Sequence, residues 1–287
     1  FEDGKVIALL MAQRDQTILG QFGFAAVRDR NLRGTLHVRP TITGREGIHR
    51  KLVNGSAGFT AADPGRPSVF LERLGDLGTQ GEGGIRIVPD QCLKGLRDLC
   101  DATGTLLIFD EVQCGMGRTG KLFAHEWSGI TPDIMMVAKG IGGGFPLGAV
   151  LATENAAFGM GAGTHGSTYG GNPLACAVGS KVMQIVADDV FLAEVSRKAA
   201  LLRQGLESLV AAHPKVFEAV RGEGLLLGLK CTAINSDIVK AGYQAGILTV
   251  PAADNVIRLL PALNIPDADI ATALALLEKT AALVEAA

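Results

Sequence analysis

Two short apolar runs, Leu106-Leu107-Ile108-Phe109 and Ile134-Met135-Met136-Val137, constrain this chain most. Each is strand-length and rich in residues suited to a sheet buried on both faces, and each ends on charge. The first opens onto Asp110-Glu111-Val112-Gln113. The second opens onto Ala138-Lys139-Gly140-Ile141-Gly142-Gly143-Gly144-Phe145-Pro146. A carboxylate and an amine delivered at the carboxyl ends of buried strands stand where open α/β sheets place their chemistry. An amine in a dry site loses part of its proton affinity and becomes a nucleophile towards aldehydes. Pyridoxal phosphate needs such an amine and also an anionic partner for its ring nitrogen, because a protonated ring is the better electron sink. Asp110 and Lys139 can supply both. A Lys-Asp salt bridge, or two unrelated charges just past strand ends, would give the same spacing.

Around these runs the chain alternates strand and helix signals from residue 79 onwards, the pattern of a parallel, helix-covered sheet. A helix is expected over 90–102 with Leu93, Leu96, Leu99 and Cys100 on one face, and strands over 105–110, 134–137 and 147–152. Asn172-Pro173 starts a long helix, with proline in the first turn where its missing N–H costs nothing. Helices continue to about residue 212, with Leu201, Leu202, Leu206 and Leu209 at helical spacing. A smaller α+β domain follows, with strands over 224–230, 246–250 and 255–260. A last helix runs from Asp267 through Leu274, Leu276, Leu277 and Leu283. The division expected is 1–78, 79–195 and 196–287.

Residues 1–78 differ from the rest. They hold nine Arg and two Lys against eight acids, whereas the remainder has 16 basic and 21 acidic residues. The basic residues are not clustered and stacking aromatics are few, which argues against a nucleic-acid arm. The net charge of −2 favours neither nucleic acid nor an anionic membrane. No apolar stretch has the length of a membrane span, and the first residues lack the order of a signal peptide. The five cysteines form no CxxC pair and read as reduced thiols, so a cytoplasmic protein is expected. The five histidines lack ligand spacing, so no metal site is expected.

Three further motifs carry chemistry. Gly115-Met116-Gly117-Arg118-Thr119-Gly120-Lys121 approaches a phosphate-binding loop, but Leu122 stands where a magnesium-binding hydroxyl is required. Nucleotide hydrolysis is therefore disfavoured, and a turn holding the chain close to a cofactor is the better account. Thr164-His165-Gly166-Ser167-Thr168-Tyr169-Gly170-Gly171-Asn172 sets hydroxyls and free amides before a helix, which suits an anionic phosphate; Asn172 could equally be a helix cap. Arg258 interrupts an apolar strand and must have an anion, either a ligand carboxylate or an internal acid.

Taken in register, Gln80-Gly81-Glu82-Gly83-Gly84, the 106–121 stretch, Ala138 to Gly148, the 165–173 stretch and Arg258-Leu259-Leu260-Pro261 resemble the class III pyridoxal-phosphate aminotransferases. The resemblance implies an α/β fold: the fold type I of pyridoxal-phosphate-dependent transferases, with a mostly parallel sheet and a smaller C-terminal α+β domain. By the same resemblance Lys139 is the covalent attachment point and proton shuttle, and Asp110 the partner of the ring nitrogen. Val112 would be the wall against the ring, Gln113 the donor to its phenolic oxygen, and Ser167 with Thr168 a phosphate ligand lent across a homodimer with shared active sites. Arg258 is similar to the arginine that clamps the carboxylate of 2-oxoglutarate, and Glu82 to the glutamate that pairs with it otherwise. The implied reaction is transamination from N-acetylornithine or a related ω-amino donor to 2-oxoglutarate, in arginine biosynthesis. Residues 1–78 show no counterpart of the family's glycine-rich phosphate helix or its ring-stacking aromatic. A second possibility is therefore a catalytically impaired relative acting as a binding or dimerisation module.

Overall fold

The computed structural model describes residues 83–158, 160 and 167–287 in full, and the backbone of three strands before them. These strands are β1 (Ile7–Met11), β2 (Ala25–Ala26) and β3 (Ser68–Leu71). The chain divides into two compact units. One comprises Phe1–Leu74, Pro89–Met116 and His125–Ile185, the other Gly75–Val88, Gly117–Ala124 and Val186–Ala287.

The first unit is built on a six-stranded sheet, in the order β2-β1-β6-β5-β4-β3, with β4 (Leu106–Asp110), β5 (Ile134–Val137) and β6 (Gly148–Ala152). Strands β3, β4 and β5 are parallel, as the strand-helix alternation implies. From β6 outwards the pairing is antiparallel, so the sheet is mixed. Helix α1 (Asp90–Thr103) leads into β4 and ends on Gly104 in the left-handed conformation, φ 67°, where the absence of Cβ removes the strain. It buries Leu93 and Cys100, whereas Leu99, expected on the same face, is 54% exposed. Arg97 of α1 ties the helix to the sheet through Asp133, 2.9 Å away, whose carboxylate also accepts from Leu107 N at 2.7 Å. A four-residue helix, α2 (Glu154–Ala157), is capped by Thr153. Helix α3 (Pro173–Val186) starts at the expected proline, and Asn172 caps it by accepting from Ala175 N at 2.9 Å.

The second unit packs helices on an antiparallel sheet, in the order β7-β8-β10-β9. Its strands are β7 (Phe217–Glu223), β8 (Leu226–Cys231), β9 (Val250–Ala252) and β10 (Val256–Leu259). Helices α4 (Asp189–Ala212), α5 (Asn235–Ala245) and α6 (Asp267–Glu285) complete it. Val195, Leu202, Leu206, Leu209, Leu227, Leu229, Ile257 and Leu277 form its core. Each such side chain contributes roughly 1.5–3 kcal/mol by leaving water. Asp188 caps α4 through Phe191 N at 2.9 Å. Strand β7 and helix α5 lie where no element was expected. The strand expected over 246–250 is displaced to β9, because Gly246 at φ 102° caps α5 at that point. No helix among the described residues is long and apolar enough to cross a membrane.

Candidate active site

Asp110 is the last residue of β4 and pairs in register with Met136 of the parallel strand β5; Glu111 N then donates to Met136 O at 2.8 Å. Lys139 follows three residues after Met136. The acid and the amine therefore leave one edge of the sheet from neighbouring parallel strands, both at carboxyl ends, where ligands bind in α/β sheets. Val112 N donates to Asp110 Oδ1 at 2.8 Å, fixing the carboxylate beneath the turn that carries Val112 and Gln113. Gln113 Oε1 is buried without a hydrogen-bond partner among the described residues, a polar atom left over by the protein's own bonding.

Lys139 opens a short 3-10 helix, Lys139–Gly142, with φ 49°. A left-handed residue with a Cβ costs roughly 1–2 kcal/mol, and such outliers concentrate at functional sites. Gly140 beside it has no room for a side chain: a Cβ there would lie 2.9 Å from Met116 Cβ. The lysine makes no ion pair with Asp110, so the salt-bridge alternative fails. Lys139 is exposed. It stands past the last ladder bond, where the sheet no longer covers it.

Ser167 and Thr168 lie before α3 and are exposed. Ser167 Oγ accepts from Gly170 N at 2.6 Å, which shapes the turn, while the helix cap belongs to Asn172. The 115–121 loop is no phosphate cradle. Gly117 N bonds Leu122 O and Gly120 N bonds Gly117 O, both at 3.0 Å, so these amides are used inside the loop. Arg118 donates to Leu225 O and Pro261 O, and burial lowers its proton affinity.

In the second unit Arg258 Nε is buried with no hydrogen-bond partner, and its guanidinium meets no acid among the described residues. No acid among the described residues therefore accounts for this arginine. Glu82 lies outside the described residues.

Sequence reasoning missed Glu111. Although it follows Asp110 directly, it points the opposite way and is 2% exposed. Its Oε1 accepts from His125 N at 2.8 Å and lies 3.0 Å from His125 Nδ1; Cys114 Sγ lies 3.6 Å from Oε2. Burial, and then the nearby Glu111 charge, push the Cys114 thiol well above its ordinary range. All five cysteines are free, and no cluster of three metal-ligating residues occurs among the described residues.

Lys139 with its positive φ and the anchored Asp110 carboxylate thus share one edge of an α/β sheet. Residues 78–281 match the family model described as Aminotransferase class-III, and the chain belongs to that family. It is 68% identical over 206 residues to the acetylornithine aminotransferase of Rhodobacter capsulatus, covering 72% of this chain and 52% of that one. It is 53% identical over 252 residues to the acetylornithine aminotransferase of Mesorhizobium japonicum, covering 84% and 63%. Among solved structures, the N-acetylornithine aminotransferase of Stenotrophomonas maltophilia superposes with a TM-score of 0.66 at 39% identity, over 73% of this chain and 56% of that one. The ornithine aminotransferase of Toxoplasma gondii gives 0.68 at 33%, over 72% and 50%. The fold is thus the α/β fold type I expected from the motifs. The chain spans about half to two thirds of the length of these relatives.

Proposed function

We propose that this protein is a pyridoxal-phosphate-dependent aminotransferase that moves the amino group of N-acetylornithine, or a related ω-amino donor, to 2-oxoglutarate in arginine biosynthesis. The observation carrying this reading is the placement of Asp110 and Lys139 at the carboxyl ends of adjacent parallel strands, in a chain 68% identical to an acetylornithine aminotransferase. The side chains present suit the cofactor: an amine with no ion pair among the described residues, a carboxylate anchored by Val112 N, and the Gln113 amide, whose Nε2 can donate. When bound, pyridoxal phosphate supplies the electron sink.

Lys139 attaches the cofactor and moves a proton at the reacting carbon of the substrate. Asp110, held by Val112 N, keeps a proton on the ring nitrogen. Val112 walls one ring face and Gln113 hydrogen-bonds the phenolic oxygen. Ser167 and Thr168 hold the phosphate of the partner subunit in a cytoplasmic homodimer. Arg258 takes the carboxylate of 2-oxoglutarate, and Glu82 replaces that carboxylate when it leaves, since a largely buried guanidinium needs an anion in each state.

The test is spectroscopic. Protein loaded with pyridoxal phosphate should absorb near the visible edge, lose that band on adding glutamate, and regain it with 2-oxoglutarate. A loaded protein whose spectrum ignores glutamate would overturn the reading.

A further inference from the structure

The antiparallel sheet of the second unit carries a row of cations on one face. Gly228 of β8 stands opposite Arg221 of β7 on one side and Arg258 of β10 on the other. Directly opposed residues share a face, so the two arginines flank Gly228, on which the buried Ile85 side chain packs; a Cβ there would lie 2.9 Å from Ile85 Cγ1. Their Cα atoms are two strand spacings apart, about 10 Å. Lys230, two residues beyond Gly228, faces the same way.

These cations are treated differently. Asp254, in the turn between β9 and β10, receives Arg221 Nη1 at 2.7 Å, Arg86 Nη2 at 2.8 Å and Lys230 Nζ at 3.1 Å; Lys230 also donates to Asp254 O at 2.6 Å. Arg221 above all, then Arg86 and Lys230, hold the Asp254 carboxyl well below the usual range. The turn is itself fastened: Asn255 Nδ2 donates to Cys231 O and Ala233 O at 2.7 and 2.8 Å, and its Oδ1 accepts from Asn235 N at 2.8 Å. Arg258, on the same face, is left with a buried Nε lacking a partner. One carboxylate cannot cancel three cations, so Asp254 fixes where they point rather than removing their charge.

We propose that Asp254 is a positioning residue that sets specificity: it draws the heads of Arg221 and Lys230 to the β9–β10 turn, so that a carboxylate arriving at this sheet face meets Arg258 alone. This rests on Arg258 as the carboxylate receptor. A carboxylate suits the planar fork of one guanidinium, whereas a cluster of mobile cations favours any compact anion.

Titration calorimetry on the full chain decides it, with glutarate as an unreactive dicarboxylate and inorganic sulfate as the compact anion. Asp254→Asn keeps a residue that tolerates the positive φ of 56° at this position while deleting the charge. Sulfate should bind this variant about three- to tenfold more tightly, as expected for unit charges released about 10 Å away. The preference for glutarate over sulfate should fall. Adding Arg221→Gln should restore it. A folded Asp254→Asn protein with unchanged or weakened affinities overturns the proposal while leaving the receptor reading intact. If glutarate does not bind the unmodified chain, or binds equally well to Arg258→Gln, the receptor reading fails and this proposal with it.

Discussion

Glu111 Oε1 and His125 Nδ1 lie 3.0 Å apart, and both residues are buried, at 2% and 9% exposure. The same oxygen accepts from His125 N, and the His125 ring meets Phe109 of β4 edge-on with centroids 6.2 Å apart. A single carboxylate thus closes the loop that begins at Asp110 and returns to the sheet at His125. Breaking a buried hydrogen-bonded pair of this kind by removing one partner costs about 3–5 kcal/mol. Glu111→Ala is therefore expected to lower the melting temperature by roughly 6–20 °C for a chain of this size. Glu111→Gln, which can still hydrogen-bond, should lose much less. Equal losses for the two variants, measured by thermal unfolding, would show that charge and not bonding holds the loop.

Asp110 is expected to tune the cofactor rather than retain it. Asp110→Asn should still take up pyridoxal phosphate and colour, with transamination depressed by several orders of magnitude, because the ring nitrogen loses the anion that keeps it protonated. Steady-state rates on the loaded variant measure this; near-normal turnover would refute the assigned role.

Arg258→Ala should lose the half-reaction with 2-oxoglutarate or glutamate far more than cofactor uptake, since the guanidinium has no acid of its own among the described residues. Single-turnover spectra of the two half-reactions make the comparison. Equal losses in both would mark a structural arginine.

His213 gives the fold a pH dependence. Its Nε2 lies 2.8 Å from Glu278 and its Nδ1 3.0 Å from Glu285, both on α6, and Glu278 first, then Glu285, raise its affinity for a proton. A group that holds its proton more tightly folded than unfolded stabilises fully below the unfolded value, about pH 6.5, and ceases to as pH rises through the raised folded value. Replacing His213 by Gln should therefore cost most near pH 5.5 and least near pH 8.5. With Glu278 half-exposed, the expected difference is about 1 kcal/mol, or about 2–4 °C. A stability gap that does not shrink with rising pH, by thermal unfolding of both proteins, would contradict this.

The elements nearest the chemistry were legible because several signals coincide there. Strand β5 is bounded as expected, since an apolar run meets a lysine and glycines, and α3 begins at Pro173 behind a capping Asn172. Strand β7 was not, because Phe217-Glu218-Ala219-Val220-Arg221-Gly222-Glu223 has too many charges for an apolar run and too broken a pattern for alternation. Burial misled at Leu99, 54% exposed, and Leu201, 38% exposed: helical spacing gives a face but not its width. Asp110 and Lys139 were readable from strand ends, whereas the partners of Glu111 were not. Nor was the Asp254 cluster, which joins Arg86 across 168 residues, because no local pattern encodes a long-range ion pair. The exposure of Lys139 also could not be foreseen, since it depends on where the ladder ends.

The central claim is that Lys139 carries the cofactor, and reduction with borohydride after loading with pyridoxal phosphate tests it most directly. Peptide mapping should find a single pyridoxyl group on Lys139, and Lys139→Ala should abolish both the label and the visible-edge band while the chain remains folded. A label on Lys121 or another lysine, or none at all on a loaded protein, would contradict the account.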